Sequence, residues 1–172
     1  MRYLSTRTIT TLALMLSMIF VLSAIEQMLP PLPFQMRFGL SNIVTMYALF
    51  FLGKRPAFLL AVLKSLFVLL TRGPVASLLS LGGGVFSLLV IVTLFHMLPR
   101  ASYLALSVCG ALAHNLAQIA IASSLTATNL VPIYLPILIV TGVASGALTG
   151  TLLRVVLPVF ADGAGERVSV RA

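Results

Sequence analysis

Long apolar runs alternate with short polar breaks along the chain, and this rhythm predicts six membrane-spanning helices. A helix needs about 20 mostly apolar residues to cross a bilayer. The first run covers residues 9–29, and Pro30, Pro31 and Pro33 stop it, because proline lacks the amide hydrogen that a helix ladder needs. The link PPLPFQMRFG follows, then a second run over residues 40–52, ending at Gly53. Lys54 and Arg55 form a basic turn, and Pro56 is placed to open a third helix over residues 57–70. A fourth span lies within residues 75–98, beyond the turn Thr71-Arg72-Gly73-Pro74, and Pro99 and Arg100 end it. The fifth covers residues 101–125, and after the link TATNLVP the sixth covers residues 133–160. Spans two and three are short for a bilayer.

The fifth span interrupts the pattern most sharply. Its core, residues 106–125, reads LSVCGALAHNLAQIAIASSL and carries His114, Asn115 and Gln118 within about one helical turn. Polar side chains at membrane depth are costly unless they are paired or face the protein interior. They either hydrogen-bond neighbouring helices and hold the bundle together, or line a ligand pocket. Small residues mark helix contacts of another kind. Gly142, Gly146 and Gly150 recur every four residues in span six and predict a stripe for close backbone approach. Ala13 and Ser17 repeat that spacing in span one. Gly82, Gly83 and Gly84 fall inside span four, where helix packing or a local kink explains them.

Composition strengthens this picture. Of 172 residues, 60% are hydrophobic and 8% charged, against about a quarter charged in soluble domains. The expected fold is an all-α membrane protein: one domain of six transmembrane helices over residues 1–160 and a short cytoplasmic tail over residues 161–172. Arg2 and Arg7 ahead of an apolar run resemble a signal peptide, but the run lacks a small-x-small cleavage site and is expected to be a retained span.

The net charge of +8 does not point to nucleic acid, because the basic residues sit singly or in pairs between apolar runs, as topology signals do. With six spans, one side holds Arg2, Arg7, Lys54, Arg55, Arg100, Arg154, Arg167 and Arg171, and the other holds Arg37 and Arg72. The positive-inside rule then puts both termini in the cytoplasm, with the chain in the plasma or inner membrane. Cys109, the single cysteine, is expected to be a packed thiol, with no disulfide and no Cys/His metal spacing.

No catalytic constellation emerges. Glu26 is the only acid before Asp162, so there is no carboxylate pair for acid–base work and no aspartate-rich magnesium motif for diphosphate chemistry. The phosphate-cradling loop G-x-x-x-x-G-K-[ST] is absent. No cofactor or metal is expected. What remains is a polar set that this topology puts in the outer half of the bundle: Glu26, Arg37, Asn42, Lys64, Arg72, His114, Asn115 and Gln118. Arg37 and Arg72 serve equally well as interfacial anchors; Glu26 has the alternative of a structural ion pair with Lys64 or Arg37, and His96 is expected to be interfacial. Lys64, in the middle of a span, needs a partner, water or an anion. As a pocket, the set has more cations than anions and suits a small amphiphile bearing a carboxylate or phosphate.

The segments RFGLSNIVTMYALFFLGKRPAFLLAVLKSLFVLLTRG, SLLSLGGGVFSLLVIVTLF, GALAHNLAQIAIASSL and YLPILIVTGVASGALTG resemble the Gx transporter family. That family is often labelled heptaprenyl diphosphate synthase component I and is similar to the substrate-binding S components of energy-coupling-factor transporters. The resemblance covers residues 8–153. It implies six helices with cytoplasmic ends, capture of a small molecule from outside, and assembly with a transmembrane coupling subunit and two ATPases. It implies docking of that subunit on a small-x-x-x-small motif of the first helix, a place that Ala13 and Ser17 occupy. The expected function is therefore the specificity subunit of an importer. The alternative is a membrane-embedded partner of a separate polyprenyl diphosphate synthase, and a stand-alone transporter is a third possibility.

Overall fold

The computed structural model describes residues 6–28, 40–98 and 100–161. These form α1 (Thr6–Met28), α2 (Asn42–Phe51), α3 (Lys54–Arg72), α4 (Pro74–Met97), α5 (Tyr103–Thr126) and α6 (Val131–Ala161). No strand occurs among the described residues. Arg37, the rest of the link 30–39 and residues 162–172 of the tail lie outside them.

Helix ends follow local chemistry. Gly53, at φ 93°, joins α2 to α3, and Gly73, at φ 85°, is the single residue between α3 and α4. Both sit in the left-handed region that side chains with a Cβ disfavour. Pro74 then opens α4 in its first turn, where no intrahelical acceptor exists for an N–H. The third helix starts at Lys54, three residues before the position expected from its apolar run. Pro56 is tolerated because it still falls in the first turn. Ser102 caps α5 by accepting the Ala105 N–H at 3.2 Å.

Four helices, α1, α4, α5 and α6, are long and apolar enough to cross a membrane, which makes this a multi-pass membrane protein by length and composition. The other two differ in kind. α2 has 10 residues, and the 19-residue α3 carries Lys54, Arg55, Lys64 and Arg72. Large apolar side chains cover the outside, among them Leu14, Met18, Val21, Leu70, Ile133 and Val140. On a protein in water such a surface would be a liability, whereas lipid solvates it.

The helices α3, α4, α5 and α6 pack in chain order, and α1 lies against α3 and α2. The short α2 touches α1, α3, α4 and α6. Its apolar character all round follows, since Val44, Thr45, Met46, Ala48 and Leu49 are buried. The α5–α6 seam is the closest. A Cβ on Gly146 would come within 2.5 Å of Val108 Cα, and one on Gly150 within 2.8 Å of Leu104 Cα, so backbone meets backbone. A Cβ on Gly142 would stand 2.8 Å from Leu112 Cδ2. Cys109 corrects an expectation: it is exposed, not packed. The face of α5 turned inward is set by Leu106, Gly110 and Ala113, and Cys109 falls off that face.

Two apolar clusters flank a polar layer. One joins Met15, Ile19, Leu49, Leu60, Ile91, Leu106 and Leu153, and the other joins Leu79, Ile119, Ala122, Leu130 and Leu138. Between them, in the order of α4, α5 and α6, fall Ser87, His114, Asn115, Ser145 and Thr149, all buried.

Candidate functional site

Helical spacing delivers the site residues in pairs. Residues four apart lie on one face of a helix. On α3 this aligns Lys64, Val68 and Arg72, on α4 Ala76 and Ser80, and on α5 His114 and Gln118. On α1, Ser23, Glu26 and Gln27 share a face in the same way. All of these, with Ser41 just before α2, line one cavity between α1, α3, α4 and α5. The cavity leaves about 20 Å³ for the centres of water molecules, enough for one or two waters.

Lys64 and His114 are connected through Asn42. Lys64 Nζ donates to Asn42 Oδ1 at 2.5 Å, and Asn42 Nδ2 meets His114 Nδ1 at 3.2 Å. An ammonium group can only donate, so Asn42 must present its oxygen to Lys64 and its amide hydrogens to the ring. Nδ1 of His114 is then the acceptor, and the ring proton belongs on Nε2. The ring also packs directly on Gly83. A Cβ at Gly83 would stand 2.8–3.0 Å from three ring atoms, so a glycine in the triplet makes the room that His114 occupies. Glu26 and Arg72 are the charged neighbours of Lys64. Glu26 Oε1 accepts the Leu40 N–H at 3.0 Å, tying the end of α1 to the start of the α2 segment.

Several hydrogen-bonding groups in this cavity are left over. Ser23 Oγ, Ser41 Oγ, Ser80 Oγ and Gln118 Oε1 are buried atoms with no partner among the described residues, and all four residues line it. Buried polar groups normally find partners, so their gathering at one place marks a space that favours a hydrogen-bonding guest.

Asn115 has a different part. Its Nδ2 donates to Leu138 O at 2.9 Å and reaches Thr141 Oγ1 at 3.4 Å, which ties α5 to α6. With Asn42, Ser87, Ser107, Ser145 and Thr149 it lines a second, smaller cavity that shares His114 as a wall. Thus Glu26, Lys64, Arg72, His114 and Gln118 come together directly, Asn42 joins them by hydrogen bonds, and Asn115 serves the neighbouring seam. The Ser23, Gln27, Ser41 and Ser80 contributions were not singled out from sequence, although Ser23 and Ser80 sit at helical spacing from Glu26 and Ala76. Serine is common in membrane helices as a backbone-bonded residue, and nothing in one sequence separates these from the others.

Ala13 and Ser17 lie elsewhere, on an exposed face of α1, where Ser17 Oγ donates to Ala13 O at 2.9 Å. At the far end of α4, Lys54 Nζ meets His96 Nε2 at 3.1 Å on the surface. Among the described residues no three His, Cys, Asp or Glu side chains gather in a way that would hold a metal ion.

The site can therefore offer cationic donors, a carboxylate, hydroxyls and an amide oxygen to a guest. A family model described as heptaprenyl diphosphate synthase component I matches residues 15–156. No curated protein and no solved structure matches the chain.

Proposed function

We propose a small-molecule binding role for this chain, which belongs to the heptaprenyl diphosphate synthase component I family: it is the membrane-embedded substrate-binding subunit of an importer built like the energy-coupling-factor transporters. The observation that carries this reading is the cavity in which Glu26, Lys64, Arg72, His114 and Gln118 converge from three helices. A bundle held together only by polar glue would be expected to use up its polar groups, as Asn115 does. This cavity instead keeps four buried polar atoms without a partner among the described residues. On this reading the six helices span the membrane with both ends in the cytoplasm, and the chain performs no chemical step. The ATPases and the coupling subunit supply the work. The small residues Ala13 and Ser17, on an apolar face with Leu14, Met18 and Val21 exposed, offer the coupling subunit a place to approach.

The family description supports a second role, that of a membrane partner for a separate prenyl diphosphate synthase. One experiment separates the two. The tagged chain is extracted from its native membranes in gentle detergent, and co-purifying proteins are identified. A coupling membrane protein with two ATPases, lost in an Ala13→Leu variant, supports the importer. A prenyl diphosphate synthase without ATPases overturns it in favour of the second role.

A further inference from the structure

The lining of the cavity says what kind of molecule it suits. Among its described residues only Val68 and Ala76 are apolar. Its cations, Lys64 and Arg72, outnumber its one carboxylate, Glu26, so an anionic group is the favoured guest in a low-dielectric surrounding. Gln118 Oε1 is an amide oxygen. It accepts and cannot donate, it is without a partner among the described residues, and its residue is 4% exposed. It therefore calls for an N–H or O–H on the guest. Ser23, Ser41 and Ser80 can serve either way.

A hydrocarbon chain fits this lining badly. Laid against these groups it would exclude water from them and give no hydrogen bond back, and each group so stranded weakens binding by about tenfold. The apolar surface a prenyl tail requires is found on the outside of the bundle and in the two closed apolar clusters, which flank the polar layer and do not line the cavity. The free volume as it stands holds one or two waters, so the lining must open to admit an organic anion, and a compact guest asks for the least opening.

We propose that this cavity takes a compact, hydrophilic anion carrying at least one N–H or O–H donor, of the kind shared by small hydroxy acids, amino acids and hydroxylated phosphate esters, and that it does not take a prenyl diphosphate. Lys64 and Arg72 hold the anionic group, and Gln118 Oε1 accepts from the donor. The inference rests on the binding role proposed above and narrows its ligand from an amphiphile to a water-soluble metabolite.

The test uses the full chain in mild detergent with two sets of probes, read by thermal stabilisation and calorimetry. The first set is lactate, glycerate, serine and glycerol 3-phosphate. The second is farnesyl diphosphate. Binding within the first set, weakened at least tenfold by Lys64→Gln, supports the proposal. Each hydroxylated probe is paired with its analogue lacking the hydroxyl, for example lactate with propionate. A loss of about tenfold on removing the donor is expected in the native chain, and that loss should shrink in Gln118→Ala. The analogue comparison needs no variant, so it stands even if a variant fails to fold. Equal binding of lactate and propionate type pairs, or binding of farnesyl diphosphate alone, overturns the inference while leaving a binding role in place. Binding of neither set overturns both.

Discussion

Two lysine–histidine pairs in this bundle use the same residue types in opposite settings. At one end, Lys54 Nζ donates directly to His96 Nε2 at 3.1 Å, and His96 Nδ1 turns back to Val92 O at 2.6 Å, with both residues exposed. In the interior, Lys64 reaches His114 only through Asn42, and both ends of that chain are buried. The outer pair is solvated whatever it does, so its loss costs little. The inner set has no such fallback. Every donor must meet an acceptor, and Asn42, with one of each, is the side chain that lets two nitrogens share a site. A geometric difference of one intervening residue thus becomes a difference between decoration and architecture.

The contrast can be broken in several ways, and the expected effects fall in order. Lys64→Ala should do the most damage, because it leaves Glu26 without one of its neighbouring cations and strips Asn42 Oδ1. Losing one partner of a buried charged set costs about 3–5 kcal/mol, and thermal unfolding in detergent should show a large drop or a failure to purify folded protein. Gly146→Ala comes next, since its Cβ meets α5 backbone that cannot swing away. Overpacking of this kind costs about 1–3 kcal/mol, and the same assay reads it. Gly83→Ala should cost a similar amount or somewhat less, because the clash is with a ring rather than with backbone. Its distinguishing sign is a moved His114, visible as a changed imidazole signal in NMR of the labelled protein. Asn42→Leu should cost about 1–3 kcal/mol by stranding Lys64 and His114. His96→Ala should stay within about 0.5 kcal/mol. If His96→Ala and Lys64→Ala proved equally harmful, the inner chain would not be the special one.

Much of the fold was open to inspection in the linear pattern. The breaks at Pro30, Gly53, Gly73 and Pro99 and the link over residues 126–132 cut the chain into six apolar segments, and six helices are what the described residues form. This worked because a bilayer-length apolar run has one stable form, a helix, and because proline and glycine act locally. Boundaries were less legible. Pro56 suggested a start to α3 at residue 57, yet a proline is equally content two residues into a first turn. The packing of Cys109 was misjudged because an apolar helix all round gives no phase: its outer and inner faces look alike when lipid replaces water.

The site divides in the same way. Lys64 and His114 could be picked out as polar residues in apolar spans. That Asn42 links them while Asn115 turns to α6 could not be, since both are asparagines within apolar helices. The role of Gly83 within its triplet was equally hidden. Gly82, Gly83 and Gly84 are identical in sequence, yet in the fold they face Ile121, the His114 ring and Ala61 respectively.

Hydrophobic length and the energetics of burying charge depend only on composition and spacing, so the linear chain already specifies a helical, multi-pass membrane protein with a few costly polar side chains. Which of those side chains share a cavity, which tie helices together, and how polar the cavity lining is emerge only when the helices pack. Those outcomes depend on how each helix is rotated against its neighbours. That rotation is set by contacts between residues distant in the chain, such as Gly146 on Val108 and His114 on Gly83.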